Sequence, residues 1–429
     1  MVSSTRRVVI TGMGAVSPFG IGRQAFWDGI ASGLSGTKDL SAVTASELFG
    51  DFQFRTKVIA EVEGFDPAEA ELPDEVQKLD RFIQFAVAAG LEAVRDSSRD
   101  PGSYEPDRLG VTLSTAICGT PQLERQYLMI TDETGALTKP GNVRSDFYLA
   151  AMSNTPGIIL GSLLGARGPC ATVSTGCVGG VDAVGYAFEA VRDGDVDVML
   201  TGASEAPISP ITIAAFDVIR CLSSRHNERP EAASRPFDAD RDGFVLGEGC
   251  GMVVLEELEH ARARGATVYA EVTGFSLTSN ALHMTDLLSD GDDLARAMSG
   301  AMTASGLAPV EIDHINAHGS STPQNDSCET SAIKRAFGEH AHQVPVNSIK
   351  SMIGHPLAAA GALEIVACAL ALREGFVAPT INYETPDPAC DLDYVPNQGR
   401  DWHGDTILSG ASGFAGLHAG IVLRSVREA

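Results

Sequence analysis

Cys177 stands at a strand-to-helix junction, the kind of place where a thiol can do covalent chemistry. From residue 170 the chain reads CATVSTGCVGGVDAVGYAFEAVRDG: a β-prone run, a Thr-Gly turn, then about 16 residues of helical apolar spacing closed by Gly194. This spacing puts Cys177 in the first turn of a helix, where unpaired amides and the helix dipole favour the thiolate. Gly179, Gly180, Ala183, Gly185 and Ala187 predict a helix packed tightly on neighbouring backbone, deep in the core. A nucleophilic thiol needs acid/base partners, and two later segments have the right form: EIDHINAHGSSTPQNDSCETSAIKRAF and PVNSIKSMIGHPLAAAGALEIVACALAL. Each is a strand, a polar loop with a histidine, and a helix. His318 precedes Gly319 and the hydroxyls of Ser320, Ser321 and Thr322, which could hold an amide-bearing substrate arm. Glu329 follows on the first turns of the next helix. His355 precedes Pro356, the expected first residue of an apolar helix over 356–372, and the proline biases His355 to extended backbone. Lys350 lies shortly before it, and an ion pair with Glu329 would satisfy both groups if they are buried. His226, His260, His340, His342 and His403 sit in charged contexts and read as solvated. His283 either borders the pocket or packs.

These loops need a rigid scaffold. Strand-like runs alternate with helical patterns (VVITGMG, RFIQFAVAAGLEAVRD, RLGVTLSTA), which predicts α/β architecture with mostly parallel sheets. The opening RRVVITGMGAVSPFG is weakly similar to ATVYAEVTGFSLTSN at 266–280. Two halves are therefore expected, 1–265 carrying the nucleophile and 266–429 carrying the two histidines. Gly12-Met13-Gly14 lacks the third small residue and the acidic ribose partner of a dinucleotide loop, so it reads as glycines that let a strand turn tightly.

Composition narrows the function classes. A formal charge of −25 argues against nucleic acid, which needs clustered Lys and Arg. No apolar run is long enough to span a membrane and the start shows no signal peptide, so a cytoplasmic location is expected. The eight cysteines include no CxxC pair and no Cys/His ligand spacing, so neither zinc nor a disulfide framework is indicated. Most should be buried as small hydrophobes.

Five motifs in order resemble those of the β-ketoacyl synthase family: VSTGC around Cys177, SRPFDADRDGFVLGEG at 234–249, NAHGSSTPQND around His318, SIKSMIGH ending at His355, and SGFAG around Phe414. The stretches VSTGC, LEELEHARARGA, HMTDL, NDSCETSAIKRAFGEHA and DPACDLDYVP are most similar to the α ketosynthase of bacterial type II polyketide systems. The alternative is 3-oxoacyl-[acyl-carrier-protein] synthase II of fatty-acid synthesis. The resemblance implies a thiolase-like fold, two similar halves stacked as five layers (α/β/α/β/α), and a dimer. The partner would be a homologous chain-length factor lacking the cysteine, or else a second copy. Retention of Cys177 argues against the non-catalytic partner subunit, and the absence of a cysteine after Cys390 argues against a thiolase acting on coenzyme A esters.

The implied reaction is decarboxylative Claisen condensation of malonyl-acyl carrier protein with a chain held on Cys177. By the same resemblance, the amides of Cys177 and Phe414 would stabilise the oxyanion, and His318 with His355 would stabilise the enolate. Lys350 and Glu329 would orient and polarise the histidines. Ser320 and Thr322 would contact phosphopantetheine, Phe244 would bind substrate, and Phe414 would gate the acyl and malonyl channels. No metal, flavin or nicotinamide is implied, since substrates arrive on the phosphopantetheine arm. Docking an acidic carrier protein on an acidic chain calls for local cations, with Lys78, Arg81 and Arg125 as candidates. Pro356, Ala358 and Ala415 depart from the family pattern. Ala415 adopts positive φ less easily than glycine and is expected to alter how Phe414 swings.

Overall fold

The computed structural model describes residues 6–44, 49, 53–97 and 104–426. Ten strands build the main sheet: β1 Val8–Ser17, β2 Leu109–Ser114, β3 Cys170–Val173, β4 Val198–Glu205, β5 Gly249–Glu257, β6 Ala270–Ser279, β7 His314–Asn316, β8 Val346–Asn347, β9 Thr406–Gly413 and β10 Leu417–Arg424. The short Gly20–Ile21 strand folds back on β1. Their order across the sheet is β8-β7-β9-β10-β6-β1-β5-β4-β2-β3. β1 and β6 meet at the middle, Val8 opposite Val272, and the strands outward from each follow the same pattern.

The sheet is mixed, not mostly parallel. β1, β5 and β4 run antiparallel in succession, as do β6, β10 and β9, while β4-β2-β3 and β9-β7-β8 are parallel. The sequence could not reveal this, because every residue of β1, β2, β4 and β9 is buried and no period-two alternation marks strand direction.

The helices that bear on the site are α1 Arg81–Asp96, α2 Thr155–Leu164, α3 Gly179–Arg192, α4 Pro210–Val218, α5 Asp292–Ser305, α6 Pro323–Phe337, α7 Lys350–Ile353 and α8 Ala358–Glu374. α1 and α2 pack on the strands of the first half, α5 packs on those of the second with α6 against it, and α3 and α8 lie between, touching strands of both. These are the five layers of a thiolase-like fold. α8 is buried on every side over residues 358–371, as expected of a helix apolar all round. The close approach of α3 to α8 depends on glycine: a Cβ at Gly180 would stand 2.5 Å from the Ala358 carbonyl oxygen. Gly12 and Gly14 do not make a turn. β1 continues through them, with a register shift between Ile10 and Gly12, and a Cβ at either would strike the backbone of α1, at Ala93 O (2.1 Å) and Ala89 O (2.0 Å). No helix among the described residues is long and apolar enough to cross a membrane.

Candidate active site

Gly176, at φ 60°, turns the chain out of β3 into a single 3-10 turn over Gly176–Val178, and α3 begins at Gly179. Cys177 thus sits just ahead of the helix, on the wall of a cavity of about 290 Å³. The amides of Phe414 and of Cys177 itself approach the sulfur. The thiol is not acidified as its position before a helix suggests. Burial pushes it up to about 11, and Lys350 and the two amides only partly offset this. Desolvation outweighs the dipole because the sulfur is shielded from bulk water.

His318 and His355 line the same cavity, their rings 5.2 Å apart and nearly perpendicular. Burial, reinforced by the nearby Lys350 cation, holds both well below the ordinary histidine range, so both imidazoles are neutral. Loop geometry fixes His355: Gly354 takes φ 66°, the His355 amide donates to Val245 O (2.7 Å), and Pro356 follows. The helix expected from Pro356 starts instead at Ala358, with Leu357 at φ 43° between them.

Lys350 and Glu329 are buried behind the histidines but do not pair with each other. The Lys350 ammonium donates to the His318 carbonyl (2.7 Å) and pairs with Glu364 of α8. Glu329 instead accepts the amides of His318 (2.7 Å) and Gly319 (2.8 Å), and burial raises its carboxyl to about 7. Glu364 was not anticipated, although an acid within the apolar run ALEIVACALAL needs a buried partner.

Ser320 and Thr322 line the cavity with their hydroxyls 3.0 Å apart, and Thr322 also caps α6 through the Asn325 amide. Phe244 lies 5.2 Å from the His355 ring, and Phe414 stands at the rim, 6.3 Å from Phe216. Ala415 does adopt the left-handed conformation (φ 64°), and its amide donates to Met284 O (2.6 Å). Just below this turn His418 and Ser412, cross-strand neighbours on β10 and β9, share a buried hydrogen bond (3.0 Å). His418 was not foreseen, because its strand context carries no polar signal.

Among the docking candidates, Lys78 is exposed and Arg125 is half-buried beside the Asp80 carboxyl. Arg81 is committed elsewhere: it pairs with Glu248 (2.8 Å), bonds the Val62 carbonyl, and stacks on Phe85 and Phe65. Arg220, which sequence reasoning passed over, is exposed and lines the cavity mouth. His260, expected to be solvated, bonds the buried Glu256 (2.6 Å). Four of the eight cysteines are buried, and Cys170 is exposed on β3.

A thiol and two neutral imidazoles converging from strand ends of a doubled α/β sheet define a thiolase-like acyltransferase. Residues 5–261 match the β-ketoacyl synthase N-terminal domain and residues 269–384 the β-ketoacyl synthase C-terminal domain. The chain belongs to the β-ketoacyl synthase family. It is 49% identical over 422 residues to putative polyketide beta-ketoacyl synthase 1 of Streptomyces halstedii, covering 98% of each chain. It is 40% identical to 3-oxoacyl-[acyl-carrier-protein] synthase 2 of Coxiella burnetii, over 98% of this chain and 99% of that one. Among solved structures it is similar to a type II polyketide synthase acyl-carrier protein in complex with its ketosynthase bound to the hexaketide (TM-score 0.92, 41% identity, 99% and 100% of the chains covered). It is also similar to the ishigamide ketosynthase/chain length factor (TM-score 0.88, 32% identity, 99% and 100% covered).

Proposed function

We propose that this protein is the catalytic α ketosynthase of a type II polyketide synthase, joining a Cys177-bound acyl chain to malonyl carried by an acyl carrier protein. The observation that carries this reading is the convergence of Cys177, His318 and His355 on one cavity, with Lys350 buried behind them. The polyketide relatives, at up to 49% identity, favour it over the fatty-acid reading at 40%.

In the first half-reaction the Cys177 sulfur attacks the acyl thioester and yields its proton to a cavity imidazole, neutral and able to accept it. The oxyanion forms against the amides of Cys177 and Phe414, and collapse expels the carrier thiol, which takes up the proton. Malonyl on a second carrier then loses carbon dioxide. The electron pair moves to the thioester oxygen, and N–H groups of His318 and His355 donate to this enolate. The enolate carbon attacks the Cys177 thioester, the new carbon-carbon bond forms, and the sulfur leaves as thiolate and takes a proton from solvent. Lys350 and Glu329 hold the His318 loop by its carbonyl and its amides without touching substrate. Ser320, Thr322 and Phe244 line the arm's path, and no separate cofactor takes part.

The carrier protein docks at the mouth, where Arg220 presents a cation beside the cavity; Lys78 and Arg125 are further contacts. The second subunit is a homologous chain, a chain-length factor in the favoured reading, seated on the edge strand β3. Reconstitution with malonyl-loaded carrier protein should yield elongated β-keto products, and Cys177→Ala should abolish them. Elongation retained in that variant overturns the mechanism.

A further inference from the structure

One buried carboxylate beside the cavity has no part in the chemistry above. Glu205, at the end of β4, is fully buried. It accepts from the Thr115 hydroxyl and from the amides of Ala116 (2.9 Å) and Ile117 (3.4 Å) in the loop after β2. It also accepts the amide of Ala358, the first residue of α8. A single side chain therefore ties the loop after β2 to the segment that follows His355.

Both segments reach the nucleophile. Ala116, Ile117 and Cys177 pack around one apolar cluster that includes Leu357. The Ala358 side chain lies 3.4 Å from where Gly179, two residues past Cys177, would carry a Cβ. Leu357 lines the cavity at φ 43°, a conformation leucine keeps only where its surroundings fix it, and the next amide is the one Glu205 holds.

We propose that Glu205 is a positioning residue for the condensation: it fixes Leu357 and the Thr115–Ile117 loop as walls of the acyl site and sets a carboxylate beside the Cys177 sulfur. The proposal rests on Cys177 being the nucleophile. Two opposed charges face that sulfur, Lys350 from α7 favouring the thiolate and Glu205 from β4 disfavouring it. The neutral imidazoles share the cavity, the Cys221 thiol faces Cys177, and Glu205 also faces the Cys118 thiol, which with burial stands near 11. Burial raises Glu205 itself to about 7, with its hydrogen bonds pulling the other way. Below that pH the carboxyl is neutral and the sulfur feels Lys350 without it. Above it the carboxylate appears and holds the thiol up. Glu364, paired with Lys350, and Glu329 also stand near 7, and the Glu205→Gln variant tells them apart from Glu205.

The test is the rate of iodoacetamide labelling, read by mass spectrometry on the Cys177 peptide between about pH 6 and about pH 9. In the wild-type enzyme the logarithm of the rate should rise with unit slope, bend to a shallower slope around pH 7 as Glu205 ionises, and then resume unit slope on a line displaced to lower rate. Glu205→Gln should remove the bend and raise the rate above it by about threefold or more, equivalent to half a pH unit. Glu205→Asp, which keeps the charge, should keep the bend. A straight line in the wild-type protein overturns the proposal even where the variants fail to fold, and so does a bend that persists in Glu205→Gln, whatever happens to its melting temperature. Labelling needs no condensation, so this outcome is separate from failure of the Cys177→Ala test.

Discussion

Lys350 is the cation on which the two histidine loops meet. Its ammonium holds the carbonyl of one loop while its own backbone opens the helix that leads to the other. With Glu364 fully buried, Lys350→Ala leaves an uncompensated carboxyl and should cost roughly 3–5 kcal/mol in urea unfolding. A double-variant cycle discriminates between the acids. Lys350 with Glu364 should show a coupling of about 1 kcal/mol or more, and Lys350 with Glu329 a smaller one, because Glu329 spends its oxygens on the amides of His318 and Gly319. A larger coupling to Glu329 would reverse this assignment. At this scale the sequence exposed the groups that end strands and begin loops, Cys177, His318 and His355. It hid Glu364, because which acid reaches Lys350 depends on how the turn through Gly354 and Leu357 folds the next helix back over the ammonium.

The hairpin of β9 and β10 is the element that closes the cavity, and its turn carries Gly413, Phe414 and Ala415. Gly413 is extended (φ −140°), so alanine fits there without backbone strain. A Cβ at that position would lie 3.6 Å from the amide nitrogens of both Cys177 and Val178, in ordinary contact but over the space where the oxyanion is expected. Gly413→Ala should therefore fold with stability within about 1 kcal/mol of wild type yet condense about 100-fold more slowly or worse. Full activity in this variant would move the oxyanion elsewhere. Ala415 was legible as a departure from the family pattern. That the chain keeps the left-handed turn anyway, braced by the Met284 carbonyl, came only from the packed loops.

In the whole molecule one end of the sheet is unfinished. Among the described residues β3 pairs only with β2, and around it Ile158 and Leu163 of α2, Cys170 of β3 and Tyr186 of α3 are exposed. Unpaired strand edges flanked by apolar side chains are unstable as free surfaces and suit a second, homologous chain. Ile158→Glu combined with Tyr186→Glu should convert the assembly to monomer in sedimentation and lower condensation with it. An unchanged sedimentation coefficient would place the interface on another face.

The α/β class and the loops that present Cys177, His318 and His355 are legible in the chain alone, because local punctuation by glycine, proline and polar runs marks where strands end, and the family is legible in five ordered motifs. Strand direction, the acid that pairs with Lys350, and the electrostatic state of Cys177 were decided only by the tertiary structure. Strand direction depends on which strands pair, the Lys350 partner on how the following turn sets α8, and the state of the thiol on which segments exclude water from it and which charges they bring. Cys177 illustrates the difference: its place before a helix suggested a thiolate, and the walls folded around it hold a thiol.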